Sequence, residues 1–354
     1  MIMKPEDELV VGRLNNDLDL TRLAPYLAAR LNDAEGVPIA RQFSGGNANL
    51  LYLLQYPDAA YVLRRPPFGT LAPGSHDMNR EFRVLERLHE DYPLAPRAYL
   101  ASDDIDLIGA PFLVMEYRPG IVVRRELPSV LANNAAACGR LGEAIVNSLA
   151  ELHAVDPERV GLGDLGNPEG YLERQLSGWQ RRWAAVADRP RNDIELVVRW
   201  LDDNRPISSR TSLLHNDFKL DNMILDPEDA SRAIAVIDWD MCTRGDPLVE
   251  LGFLLNYWGE AGDPDEWLEV ASMPTWHTGF ASRRDVISRY GALTGIDTAA
   301  LDWYRVFGAF KLAVILQQIW AGYLRGERTN PRFATFGGRV DALIRKCDVL
   351  MATA

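Results

Sequence analysis

Apolar residues return at helical spacing at Leu20, Leu23, Leu27 and Leu31, which predicts an amphipathic first helix in spite of Pro25. The period then shortens to that of strands. VPIARQF (37–43), LLYLLQY (50–56) and AYVLRR (60–65) are rich in β-branched, aromatic and aliphatic residues, and SGGNAN and PDA between them have turn compositions. They predict an antiparallel three-strand start. Met78, Phe82, Leu85 and Leu88 then mark one helix face, and two more strand-like runs, PRAYLAS (96–102) and PFLVMEY (111–117), flank the turn-like DDIDLIG. In RPGIVVRRELP, Pro119 and Gly120 interrupt regular structure directly after an apolar strand, so this stretch is expected to be a connection.

Helices dominate beyond it. Leu141, Ile145, Leu149 and Leu152 form one stripe, Leu172, Leu176, Trp179 and Trp183 a second, and Ile194, Val197, Val198 and Leu201 a third. Only SLLH, NMILD and AIAVID break this pattern as short strands, before DPLVELGFLLNYW and VFGAFKLAVILQQIW return to helix. With 354 residues the chain is about twice the usual ~150-residue domain, so two lobes are expected. The expectation is an α+β fold: a small β-rich lobe with one packed helix over 1–117, and a larger, mainly helical lobe over 118–354.

Composition changes this picture little. A formal charge of −12 repels phosphate backbones and anionic membrane surfaces, which argues against nucleic-acid and membrane partners. Cys138, Cys242 and Cys347 are odd in number and lack CxxC spacing, so neither a disulfide frame nor a zinc ribbon is supported and a cytoplasmic setting is expected. The start, MIMKPEDELVVG, carries acids where a secretory signal carries bases, and no later stretch is expected to supply the ~18 apolar residues of a membrane span.

The chemistry concentrates in HNDFKLDN (215–222), read as the loop between the SLLH and NMILD strands. His-x-Asp occurs at His89–Asp91 and at His215–Asp217, but only the second has an Asn five positions after the Asp, at Asn222. AIAVIDWD then presents Asp238 and Asp240 at the end of an apolar strand. This combination resembles the aminoglycoside phosphotransferase and choline kinase superfamily, relatives of protein kinases in which H-x-D-x-x-x-x-N precedes a strand ending in I-D. The resemblance implies a bilobal protein-kinase-like fold and phosphoryl transfer from ATP. It makes Asp217 the carboxylate that accepts or orients the acceptor hydroxyl, Asn222 and Asp238 the ligands of Mg²⁺, and His215 a brace for the loop. Asp240 fits a supporting acid, a metal ligand or a helix cap, and Asp246 before Pro247 has the composition of an N-cap.

The same resemblance asks the first lobe for a phosphate cover, a cation and a partner acid. FSGGNANLLYLL looks like the GGxSNxTY-type loop of the branch related to the kinase-like region of acyl-CoA dehydrogenase family members 10 and 11, which implies that Gly45, Gly46 and Asn47 cover the phosphates. Ala48, Leu50 and Leu51 depart from that loop and remove hydroxyl donors. Arg64 stands where relatives usually carry the phosphate-binding lysine, and keeps the charge with a forked geometry. Arg65 is expected to face the other way by strand alternation. Glu81 in NREFRVLERL is the expected partner of Arg64, and Glu116, Tyr117 and Arg118 are the hinge whose main chain would meet adenine.

Protein substrates fit poorly: Asn216 replaces the Arg of HRD, DWD replaces DFG, and the chain runs quickly from there into a helix. A small hydroxylated acceptor is the better class. If Arg174, Arg181, Arg182 and Lys219 line the cleft they suit an anionic acceptor such as a hydroxyacyl-CoA; otherwise the arginines are a solvated helix face. Two other readings compete. A metal-dependent hydrolase could use His215, Asp217, Asp221 and Asp238 but has no need of the glycine loop, Arg64, Glu81 or the hinge. A catalytically inactive nucleotide-binding regulatory protein has no need of Asp217, Asn222 and Asp238.

Overall fold

The computed structural model describes residues 18–43, 49–67, 77–187 and 191–354. Helix α1 (Leu20–Ala28) starts at Asp19, whose carboxylate accepts the Thr21 N–H, and contains Pro25. Strands β1 (Ile39–Gln42), β2 (Leu50–Gln55) and β3 (Ala60–Arg65), helix α2 (Met78–Leu88), and strands β4 (Ala98–Ser102) and β5 (Phe112–Glu116) complete the first lobe. The strands form one antiparallel sheet in the order β1-β2-β3-β5-β4. DDIDLIG, expected to be a turn, holds one turn of helix, α3 (Ile105–Ile108), capped by the Asp104 side chain and closed by Gly109.

Strand alternation decides which lobe each side chain serves. Phe112 and Val114 of β5 join a core with Leu23, Leu27, Tyr52 and Leu63, whereas Leu113 and Met115 face α2 and the main core of the molecule. On β3 the same rule separates Tyr61, Leu63 and Arg65 from Val62 and Arg64. Arg65 is buried and donates to the Ile108 carbonyl at 2.8 Å, on the face opposite Arg64.

The chain leaves the first sheet at Glu116 and by Ile121 has entered another. RPGIVV is therefore more than a connection: β6 (Ile121–Val122) pairs with β8 (Met223–Leu225), which pairs with β9 (Ala233–Val236). Gly120 lies against β8, where an added Cβ would meet the Ile224 side chain at 2.3 Å and the Leu225 carbonyl at 2.4 Å. Helices α4 (Ser129–Ala132), α5 (Ala135–Ala154), α6 (Tyr171–Val186) and α7 (Asn192–Asp203) follow, and carry the three expected stripes into the core. β7 (Ser212–Leu214), which the HNDFKLDN loop joins to β8, does not pair with that strand. It pairs with β10 (Thr243–Gly245), a strand too short to leave a sequence pattern.

The last helices are α8 (Pro247–Tyr257), α9 (Asp265–Val270), α10 (Arg283–Thr294), α11 (Leu301–Leu324) and α12 (Phe336–Thr353). Every residue of α8 is buried, so this helix is core on all sides. α11 corrects the expectation of no long apolar stretch: it is long and apolar enough to cross a membrane. Yet 67% of its most apolar window is buried, and it packs between α8 and α12 as the central helix of the second lobe. α8 approaches it so closely that a Cβ on Gly252 would lie 2.5 Å from the Tyr304 carbonyl oxygen. Gly252→Ala is therefore expected to destabilise the protein by about 1–3 kcal/mol through overpacking, measurable by denaturant unfolding; a wild-type midpoint in the variant would contradict this contact.

Candidate functional site

The loop between β7 and β8 is held from beneath by one buried carboxylate. Glu250 on α8 accepts the backbone N–H groups of His215 (3.1 Å) and Asn216, and also receives His153 Nε2 at 2.9 Å, while the Tyr290 hydroxyl lies 2.7 Å from His153 Nδ1. Burial alone would raise the Glu250 pKa; His153, His215 and the backbone donors outweigh it and lower it. Asn216 can then adopt a left-handed conformation, φ 69°, with its side-chain amide donating to the Met241 carbonyl. His215 is fully buried against Trp239 and Phe218, with Nε2 on the Ile237 carbonyl and Nδ1 receiving the Asp217 N–H. It braces the loop, as expected.

Asp217 emerges from this support with two partners. Asn222, in a 3₁₀ turn, donates its amide to the Asp217 carbonyl (2.8 Å) and to Oδ2 (2.9 Å), and Lys219 Nζ lies 3.0 Å from the same Oδ2. Burial opposes the charge on Lys219, but Asp217 and Asp221 outweigh it and raise its pKa; burial raises that of Asp221.

Arg64 crosses from the first lobe to meet this loop's neighbour. Its Nη1 reaches Glu81 Oε1 at 3.0 Å, and its Nη2 reaches Asp238 Oδ1 at 2.7 Å and Asp240 Oδ2 at 3.2 Å. Asp240, left open by the sequence, is thus an acid on Arg64. Glu81 is fully buried, and burial pushes its pKa up to about 7 against the pull of Arg64, with Asp238 and Asp240 pushing the same way. Its Oε1 also takes the Trp239 N–H at 3.3 Å, whereas Oε2 has no hydrogen-bond partner among the described residues. Asp238 is opposed by burial too, yet Arg64 lowers its pKa. Asp238 is the second left-handed residue, φ 72°; with Asn216 it makes up the positive-φ non-glycine set of the described residues. Each costs about 1–2 kcal/mol of backbone strain, and both sit at this site.

Arg64, Asp217, Asn222 and Asp238 line one cavity of about 650 Å³, together with Glu116, Tyr117 and Arg118 of the expected hinge. Phe43, Leu51, Val62, Met115, Ile224 and Ile237 supply apolar walls to it. Gly45, Gly46 and Asn47 lie outside the described residues. The Glu116 N–H is engaged by the Arg97 carbonyl at 2.8 Å, and the Arg118 side chain ties the hinge to the carbonyls of Pro93 and Ile234. Arg174, Arg181 and Arg182 do not line the cavity. Arg174 caps carbonyls of residues 167 and 169, and Arg182 lies over the Trp179 ring, so these belong to the helix face. Lys219 does line it, with Arg124, Phe253, Tyr257, Lys311 and Ile319, none of the last five expected. Lys311 had left a trace in the sequence, as the one charge inside the apolar run VFGAFKLAVIL. From Asp238 the chain reaches α8 through a 3₁₀ turn and β10 alone.

A five-stranded antiparallel lobe hinged to a helical lobe, with an acid-bearing loop facing the hinge, defines the kinase-like phosphotransferases. The chain belongs to the phosphotransferase enzyme family, whose model matches residues 39–281. Its curated relatives come from the branch anticipated by the glycine loop. Acyl-CoA dehydrogenase family member 11 of Rattus norvegicus is 33% identical over 88% of this chain and 40% of its own length. Member 10 of Mus musculus is 31% identical over 82% and 27%. The chain thus spans less than half the length of these relatives. Among solved structures, a candidate aminoglycoside phosphotransferase of Ralstonia eutropha JMP134 superposes with a TM-score of 0.82 at 24% identity, over 95% of this chain and 99% of its own. A thermostable mutant of aminoglycoside phosphotransferase APH(4)-Ia, in ternary complex with AMP-PNP and hygromycin B, gives 0.57 at 17% identity, over 91% and 98%; at these identities both show the fold.

Glu250→Ala is expected to cost about 3–5 kcal/mol, the range for stripping one partner from a buried charged network; an unfolding free energy within about 0.5 kcal/mol of wild type would remove Glu250 from this role. Because its pKa is lowered, the stability it contributes is present above the ordinary glutamate value of 4.5 and is lost as pH falls through the lowered one. Thermal melts of Glu250→Gln across that acid range should show a flatter decline than wild type.

Proposed function

We propose that this protein transfers the γ-phosphoryl group of ATP to a hydroxyl of a small molecule with the help of Mg²⁺, the first lobe holding the nucleotide and the helical lobe the acceptor. The observation that carries the reading is the convergence of the Arg64–Glu81 pair with Asp217, Asn222 and Asp238 around one cavity, from positions far apart in the chain. A metal-dependent hydrolase would have no use for that pair or for a hinge.

The donor set suits a hard cation. Asp238 offers a carboxylate, and Asn222 spends its amide nitrogen on Asp217, which commits its oxygen to the other side. Among the described residues no cluster of three or more His, Cys, Asp or Glu could cage a metal, in keeping with an ion that takes its remaining ligands from water and phosphate. Arg64, Glu81, Asp238 and Asp240 also bring three acids to one cation, an excess of negative charge that a divalent ion would offset. When bound, Mg²⁺ would neutralise crowded phosphate charge.

The protein's own residues would do the rest. Glu81 holds Arg64 through Nη1, so that the Nη2 edge, now on Asp238 and Asp240, can turn to phosphate oxygens. With the Glu116 N–H committed to Arg97, a base edge would meet the Glu116 carbonyl and the main chain of Tyr117 and Arg118. Asp217 would accept the proton of the acceptor hydroxyl as the hydroxyl oxygen bonds the γ-phosphorus and the bond from that phosphorus to the bridging oxygen of ATP breaks, releasing ADP, and Lys219 and Asn222 would fix that carboxylate.

For the acceptor we propose a hydroxyacyl-CoA. The curated relatives are named as acyl-CoA dehydrogenase family members, and the aromatic and aliphatic side chains of Phe253, Tyr257, Ile315 and Ile319 would accommodate an acyl chain. The proposed setting is the cytoplasm, consistent with Cys138, Cys242 and Cys347 all being free and buried.

Incubation with ATP, Mg²⁺ and a panel of hydroxyacyl-CoAs, sugars, choline and aminoglycosides, followed by mass spectrometry, should reveal one phosphorylated class. Nucleotide binding with no product across the panel would reject the reading. Asp217→Asn should keep nucleotide affinity while turnover falls by about 10²–10⁴-fold, and Asp238→Ala should weaken nucleotide binding only when Mg²⁺ is present. Unchanged turnover in the first, or an unaltered Mg²⁺ titration in the second, would withdraw that residue's role.

A further inference from the structure

Lys311 stands in the middle of α11 with only 5% of its surface exposed, and yet it lines the cavity that Asp217 faces. Its ammonium has no hydrogen bond or ion pair among the described residues; it rests 4.1 Å from the centroid of Phe253 and 5.6 Å from that of Trp179. The charged groups around it are Asp217 on the loop, Glu250 on α8 and Arg182 on α6. Burial pulls its pKa down to about 8, Asp217 and Glu250 raise it and Arg182 lowers it, so it is still mainly protonated at neutral pH. A cation buried without a direct ion-pair or hydrogen-bond partner among the described residues opposes folding, and methionine would fill the same space without that cost. The aromatic faces recover part of the lost hydration, but they leave the N–H donors of Lys311 facing the cavity.

We propose that Lys311 is the specificity residue of the acceptor end, donating to an acyl oxygen of the acceptor, either a carboxylate or a thioester carbonyl, while Asp217 takes the hydroxyl. This rests on the phosphotransferase reading above and adds a requirement to it. Two fixed groups in one cavity set the separation between the acyl oxygen and the hydroxyl that is phosphorylated. A diol of the same length offers Lys311 only a hydroxyl oxygen, a neutral acceptor that gains less from an ammonium than a carboxylate does. Polycationic acceptors are disfavoured by the same ammonium, since a positive charge brought beside it meets repulsion in a site largely closed to water.

The test uses hydroxybutyrates with the hydroxyl on the second, third or fourth carbon, each as free acid and as coenzyme A thioester, against the matching butanediols. Phosphorylation kinetics and thermal shifts in the presence of ATP and Mg²⁺ are both read. Wild type should prefer one positional isomer over the others and over its diol, and comparison of acid with thioester tells which acyl oxygen is bound. Lys311→Met should melt no lower than wild type, raise KM for that isomer by roughly ten- to a hundredfold, leave kcat little changed and flatten the positional preference. Lys311→Arg should restore part of the preference. Equal use of acid, thioester and diol, or a KM and positional preference untouched in Lys311→Met, would overturn the proposal. A Lys311-dependent thermal shift without product would keep the acyl-oxygen site and reject phosphoryl transfer; product without Lys311 dependence would do the reverse. Neither shift nor product from any compound overturns both.

Discussion

The guanidinium of Arg64 is the tie on which the site depends. It is almost wholly buried, it belongs to a strand of the first lobe, and of its carboxylate partners among the described residues Glu81 belongs to the first lobe and Asp238 and Asp240 to the second. A buried arginine stripped of these acids would be an uncompensated charge, and the acids without it would repel one another. The two lobes are therefore joined at the site by electrostatics as well as by the chain. Trp239 strengthens the arrangement, since its N–H binds Glu81 while its ring packs on His215 and Tyr92. The carboxylate that steadies Arg64 and the imidazole that steadies the Asp217 loop thus share one aromatic neighbour.

Beneath the loop, Glu250 does for the second lobe what Glu81 does for the first. Each is a buried acid that spends its charge on holding another residue in position, and neither lines the cavity. The left-handed backbone at Asn216 is held by its N–H on Glu250 and its side-chain amide on the Met241 carbonyl, and at Asp238 the carboxylate is fixed by Arg64. Such positions, where local preference loses to a tertiary network, are where binding groups can be aimed more sharply than a relaxed turn allows.

Much of this was legible in the residues alone, and the exceptions share a cause. The five strands of the first lobe, α2 and the helical stripes each have a period that their own segment reveals. The His215–Asn222 spacing and Asp238 are similarly local. β6 and β10 are two and three residues long, and pairing with distant strands, β8 and β7, is what makes them strands at all. α11 carries apolar residues around most of its surface because it is the central, largely buried helix of the second lobe, and so shows no clean amphipathic period. Glu250 carries no local sign of its role, since its partner His153 lies 97 residues away. Lys311 was visible as an anomaly, a charge in an apolar run, but only the cavity gave it a direction.

The pairing of β6 with β8 has a mechanical consequence. Because the second lobe claims the chain again at Ile121, only the short span from Tyr117 to Gly120 lies between the two sheets. Even that span is confined, by the Arg118 straps to Pro93 and Ile234 and by the close seat of Gly120 on Ile224 and Leu225. A joint so short and so strapped allows little sliding or twisting. Any opening between the lobes would therefore be rotation about a nearly fixed axle, widening the mouth of the cleft far more than its root and favouring exchange at the side remote from the hinge.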